Sequence, residues 1–339
     1  MPMNIGNKRC GGSLPTLILA EEGQANQGSF PFALQMIEIV AKAGADGIEF
    51  QLGLADDLYV KGSPGYKIYI RREFSAGQIR RLIKSAKSKG LIFQAACLSP
   101  RLVDVCAKSG ADSFCVNAMD INNPSMLDAV AGSGRPFWLA TLMCSMEDID
   151  WAVSRLKKMG INNFGILHGQ HIMSSKTGAS VSPELTQLDC IGMFKDRYGL
   201  PVGFVDHTSS VHLPAFAAVK GADIVMKHIS PGPRWRGPDW QVCLAPKKWK
   251  ESRDILRYAV LTSGNSKELS AGELNDRRLH RRSLFTRRSL KAGHIVNKKD
   301  LIALRPGDGM EPKDITFLIG KKIRQSIGIY HKINLSDVE

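Results

Sequence analysis

The chain has 339 residues, 43% of them apolar and 23% charged, with a formal net charge of +14. Such a chain is long and apolar enough for one large core plus a small second domain, which excludes a disordered or fibrous protein. No apolar run approaches the roughly 20 residues that cross a bilayer, and the N-terminus MPMNIGNKRCGGS lacks a secretory core, so no membrane association and a cytoplasmic location are expected.

The seven cysteines are odd in number and scattered, with no CxxC pair, as in a protein with reduced thiols. The positive charge suits anionic metabolites or plain solubility. No basic strand with interleaved aromatic residues is present to stack bases, so no nucleic-acid partner is expected.

Short apolar runs alternate with helical patterns. The predicted strands are Leu17–Glu22, Asp46–Gln51, Leu91–Cys97, Ser113–Ala118, Phe137–Leu142, Asn163–Gly169, Val202–His207 and Asp223–Ile229. Helical stretches such as SAGQIRRLIKSAKSKG (75–90) and SMEDIDWAVSRLKKMG (145–160) open on a cap and close on glycine. Eight such units in about 250 residues predict an α/β fold, a (β/α)8 TIM barrel. An open doubly wound sheet competes, but EEGQANQGS is a poor phosphate-binding turn.

The barrel catalytic domain is placed at 1–264 and a polar, basic linker at 265–280. Residues 281–339, broken by Lys-Ala-Gly and Pro-Gly-Asp-Gly turns, form a small mostly-β domain.

Active sites of such barrels gather at the C-terminal strand ends. His207 ends the seventh predicted strand and His228 lies near the end of the eighth. Neighbouring strands run about 4.8 Å apart, so the two imidazoles can converge on one divalent ion. The other strand ends supply Glu21, Glu22, Glu49, Gln51, Cys97, Ala118 and Thr141, and His168 with His171.

These pieces resemble the sialic acid synthase family, whose barrel carries a C-terminal antifreeze-like (SAF) domain. The resemblance rests on GFVDHT with KHIS, GPDW (237–240), RRSL…KAG…DL…RPGDG (281–309), AEEGQANQGS and AGADGIEFQ. It implies condensation of phosphoenolpyruvate with an N-acylated hexosamine, such as N-acetylmannosamine or its 6-phosphate, to a nonulosonic acid. It further implies a divalent ion, manganese or else magnesium, on His207 and His228, with Glu21 and Gln51 at the sugar and metal. Asp239 then contacts the sugar, and Arg305 reaches it from a partner's small domain in a homodimer.

The departures from the family pattern cluster at the positions that hold phosphoenolpyruvate. Glu49 and Cys115 replace two lysines, and Ala96, Ala118, Ala140 and Val205 replace hydroxyl residues. His171, Met173 and Met226 replace an asparagine, a tyrosine and a glutamate. Three units of positive charge are lost, with Arg234, Arg236, Lys227 and His171 as the nearby candidates for compensation.

Three readings follow. One is the family reaction. Another is a metal-dependent lyase or aldolase on a sugar-like substrate without phosphoenolpyruvate, in which Glu49 is a base or added ligand paired with His171. The last is a non-catalytic sugar-binding relative.

Overall fold

Eight parallel strands close on themselves: β3 (Leu17–Glu21), β4 (Gly47–Leu52), β5 (Ile92–Cys97), β6 (Ser113–Val116), β7 (Phe137–Ala140), β8 (Phe164–Gly169), β9 (Val202–Asp206) and β10 (Ile224–His228). Their order runs β3 to β10, and β10 pairs with β3 to shut the barrel. They follow a short antiparallel hairpin, β1 (Met3–Ile5) and β2 (Lys8–Cys10), which comes first in the chain. The computed structural model describes residues 2–172 and 181–339. Among them no helix is long and apolar enough to cross a membrane.

Each barrel strand is buried on both faces, which is why its sequence reads as a continuous apolar run. Alternate residues serve two separate cores. Ile18, Phe50, Phe93, Phe114 and Phe204 pack outward beneath the helices. Leu17, Leu19, Ile92, Trp138, Leu167 and Ile224 fill the interior, together with Met3, Ile5 and Cys10 of the hairpin. The hairpin therefore seals the end of the barrel where the strands begin. It was not anticipated, although its two-residue turn, Gly6-Asn7 with Gly6 at φ 59°, is a recognisable hairpin signal.

A repeated device pins the register. The triplet Gly-Ala-Asp occurs at 44–46, 110–112 and 221–223. In each, the glycine takes a positive φ (77°, 92° and 93°) after a helix. The aspartate then starts a strand and accepts the backbone N–H of the preceding strand. Asp46 takes Ile18 N–H at 2.8 Å, Asp112 takes Phe93 N–H at 2.9 Å, and Asp223 takes Val202 N–H at 2.8 Å. A lysine neutralises each carboxylate: Lys8 at 2.6 Å, Lys87 at 2.8 Å and Lys195 at 2.9 Å.

The chain divides into two compact units, Met1–Ser263 and Gly264–Glu339. In the second, β11 (Ser283–Thr286) and β12 (Leu301–Leu304) pair antiparallel over a core that includes Leu284, Leu290, Leu318 and Ile333. Buried Asp300 organises its turns, accepting from Arg288 at 2.7 Å and lying 2.8 Å from His294. Within the expected linker, Ala271–His280 is a helix, opened by a reciprocal Ser270–Glu273 cap. It has no buried residue, so the apolar periodicity that reveals a packed helix is missing there.

Asp223→Ala strands the buried Val202 N–H and leaves Lys195 unpaired. The expected loss is about 1–3 kcal/mol of stability, read as a lower urea midpoint; an unchanged midpoint would show that this carboxylate does not fix the β9–β10 register.

Candidate metal and substrate site

The pairing that closes the barrel sets His228 opposite Glu21. On the other side of β10, Lys227 is paired with Asp206, so His207 follows at the level of His228. Three ligand atoms from Glu21, His207 and His228 lie within 4.8 Å of one another, all buried. The two imidazole Nε2 atoms are 3.3 Å apart, and His228 Nε2 is 3.2 Å from Glu21 Oε2. Two ligands bound at right angles, each about 2.1 Å from a divalent ion, stand about 3 Å apart. The residues present therefore fit a metal ion.

The electrostatics point the same way. Burial, aided by His228, His171 and Lys227, holds the His207 imidazole well below its usual range, and burial brings His228 down to about 4. Both rings are neutral and offer lone pairs at neutral pH. Burial pushes Glu21 up to about 7, against the Gln51 hydrogen bond that lowers it. Gln51 Nε2 donates to Glu21 Oε1 at 3.0 Å, leaving Oε2 toward His228. Gly23 backs this arrangement: at φ 57°, it would carry a Cβ only 2.6 Å from His228 Nδ1.

A cavity of 540 Å³ opens above and beside this cluster. Gln51, Asp239, Glu49 and His171 also line it. Asp239 sits at φ 56° in the turn after Gly237, and burial raises its carboxyl above the usual range. His171 is exposed, its ring 5.5 Å from that of His207. Glu49 faces Glu21 across β3–β4 and is held by Gln94 at 2.6 Å, Gln94 in turn accepting from Ser113 at 3.0 Å. Burial, then the Glu21 charge, raises the Glu49 carboxyl well above its usual range. Among the described residues, Glu49 pairs with Gln94 rather than with His171.

Other expected mouth residues are elsewhere. Cys97 points outward, its Sγ 3.7 Å from that of Cys106. His168 lies outside the barrel between Phe194 and Phe204, its Nε2 3.0 Å from the Thr186 carbonyl. Glu22 bonds the backbone N–H and side-chain amide of Asn26. Strand parity explains the first two, since each differs by one position from an inward residue.

Lys227 is fully buried in an ion pair with Asp206 at 2.9 Å and donates to the Thr208 carbonyl. It does not line the cavity. Nor does Arg236, whose guanidinium stacks 4.5 Å over Trp240 and donates to the Trp235 carbonyl. Arg305 is an exposed residue of the small unit, following β12. Met173 lies outside the described residues.

Among the described residues, the Lys or Arg side chain that does line the cavity is Arg72, which was missed. It donates to Gln24 Oε1, and Gln24 Nε2 donates to Tyr69 Oη at 2.9 Å. Tyr69 ends the short helix Pro64–Tyr69, and nothing in YKIYIRREF marks Arg72 as inward-facing.

Residues 36–268 match the NeuB family and residues 281–328 the SAF domain. The N,N'-diacetyllegionaminic acid synthase of Legionella pneumophila is 28% identical over 95% of this chain and 94% of its own length. Human N-acetylneuraminate-9-phosphate synthase is 26% identical, over 92% and 90%. The crystal structure of the N-acetylneuraminic acid synthetase of Leptospira borgpetersenii superposes with a TM-score of 0.74 at 26% identity, covering 81% of this chain and 95% of that one.

His207→Ala is expected to weaken divalent-ion binding by about two orders of magnitude or more, beyond the 10–100-fold typical of losing a supporting contact. Isothermal titration reads it, and unchanged affinity retires the cluster as a metal site. Gly23→Ala forces His228 to move and is expected to weaken ion binding as well, with a smaller effect on overall stability.

Proposed function

The chain belongs to the NeuB family and carries a SAF domain, and on that premise we propose that it is a metal-dependent enzyme making a carbon–carbon bond at the aldehyde of an N-acylated hexosamine or a close relative. The meeting of Glu21, His207 and His228 at one rim carries this reading. These three would hold a divalent ion, manganese by resemblance and magnesium as the alternative. When bound, such an ion supplies Lewis-acid polarisation of a carbonyl.

The chain's own groups divide the remaining work. Glu21 fixes the Gln51 amide, whose carbonyl oxygen is left to accept from a sugar hydroxyl. Asp239 reaches the same space from the loop after β10 and accepts a second hydroxyl. His171 at the exposed mouth and Glu49 buried below it serve as the acid–base groups. A homodimer, with Arg305 of one copy completing the sugar site of the other, and a cytoplasmic location complete the proposal.

A second reading concerns the donor, and the cavity wall favours it. Where the family pattern places cations and hydroxyls, this cavity has Glu49, Cys115, Ala118, Ala140 and Val205. Burial and the Glu21 charge favour the neutral form of Glu49, so the position contributes no positive charge to hold an anion, where a charge-assisted hydrogen bond contributes about 1.5–3 kcal/mol. A near-trianionic phosphoenolpyruvate needs several such bonds, and Arg72 is the one cavity-lining guanidinium among the described residues. On this reading the enzyme is an aldolase or lyase that keeps the ion and the sugar but not the phosphorylated enol.

Incubation with manganese, N-acetylmannosamine and phosphoenolpyruvate, followed by phosphate release, separates the two. Release of phosphate with a nine-carbon acid supports the family reaction; sugar binding without phosphate release supports the second. Asp239→Asn is expected to weaken N-acetylmannosamine binding about 10–100-fold, as loss of a hydrogen bond to a charged group does. A protein that takes up neither ion nor sugar would sink both readings.

A further inference from the structure

The cavity is polar at its rim and apolar at its floor. Two residues below His207 on β9 is Val205, and two below His228 on β10 is Met226, about 6.6 Å deeper along each strand. Val205 and Met226 join Ala140 and Cys115 in lining the floor, with Ala118 and Leu142 on the wall beyond the strand ends, and all six belong to the buried apolar interior. The polar groups at that depth are mostly engaged: Ser113 donates to Gln94, and Gln94 donates to Glu49 and contacts Met226 Sδ at 3.4 Å. Glu49 and the Cys115 thiol, which contact one another, are the polar groups that line this depth of the cavity.

Charge narrows the choice further. The carboxyl groups lining the cavity are Glu21, Glu49 and Asp239, and the one guanidinium, Arg72, is tied to Gln24 at the rim. No cation among the described residues lines the floor to hold a phosphate or carboxylate.

Resting on the proposed ion and sugar half of the site, we infer that the floor of the barrel cavity receives an uncharged, short aliphatic carbonyl compound as the second reactant. Its alkyl part lies against Ala140, Val205 and Met226, and its single polar end meets Glu49 and Cys115. Small side chains at 118 and 140 leave room for a chain of three or four carbons.

Ligand-observed saturation-transfer NMR on the full chain with magnesium tests this, using hydroxyacetone, phosphoenolpyruvate and N-acetylmannosamine as separate probes. Hydroxyacetone is expected to give a signal and phosphoenolpyruvate none at the same millimolar concentration. Ala140→Phe fills the floor and is expected to weaken hydroxyacetone about tenfold or more while the sugar signal persists. Val205→Phe serves the same purpose should the first variant fail to fold. Silence of hydroxyacetone on the wild-type chain overturns the inference whatever the sugar does. So does phosphoenolpyruvate competing with it, or a signal untouched in a folded floor variant. Silence of the sugar, by contrast, overturns the proposed function and not the occupancy of the floor.

Discussion

Everything at the rim depends on strand register. A slip of one residue in a barrel strand turns every inward side chain outward, and Glu21, His207 and His228 come from three neighbouring strands that must agree. Hydrophobic pattern alone restrains this poorly here, because both faces of each strand are apolar. The Gly-Ala-Asp triplets supply the missing restraint. Each bonds a carboxylate to a defined N–H on the adjacent strand, and two of the three lie on strands that hold the site, β4 and β10. The buried Lys227–Asp206 pair adds a further tie between β9 and β10 directly below the two histidines. Such a pair contributes little net stability, but an unmatched partner would be costly, so it penalises any other register.

Much of this was legible in the sequence. The eight strands stand within two residues of their expected ends, because a run of four to six apolar residues between capped helices has few other uses. His207 and His228 were legible too, as polar residues at the close of such runs. What failed was parity. Cys97 and His168 occupy strand ends as well, yet each faces the helices, and the direction of a single residue follows from the pairing partners rather than from its neighbours in sequence. Arg72 escaped for a different reason, since it enters the cavity from a loop, where no period exists to indicate direction. The hairpin and the helix Ala271–His280 escaped because one is very short and the other has no buried face.

The interior trades one kind of complementarity for another. Around the cluster of Glu21, His207 and His228, several polar side chains have an assigned neighbour, Gln51 on Glu21, Gln94 on Glu49 and Ser113 on Gln94, while the His228 Nδ1 is buried with no partner among the described residues. Below it, methyl and thioether groups prevail. Burying a carboxyl such as Glu49 within that wall is costly unless it is hydrogen-bonded, and the Gln94–Ser113 relay meets that need from two neighbouring strands. The relay also holds the Glu49 side chain in one orientation.

The hairpin at the start of the chain has a kinetic meaning. By occupying the far end of the cylinder with Met3, Ile5 and Cys10, it leaves the barrel with one doorway. Two reactants sharing a one-ended tube cannot arrive in either order if the first to settle fills the neck. Whatever lodges at the bottom has to precede whatever sits across the imidazoles, and it leaves only after that upper occupant has gone or has become joined to it.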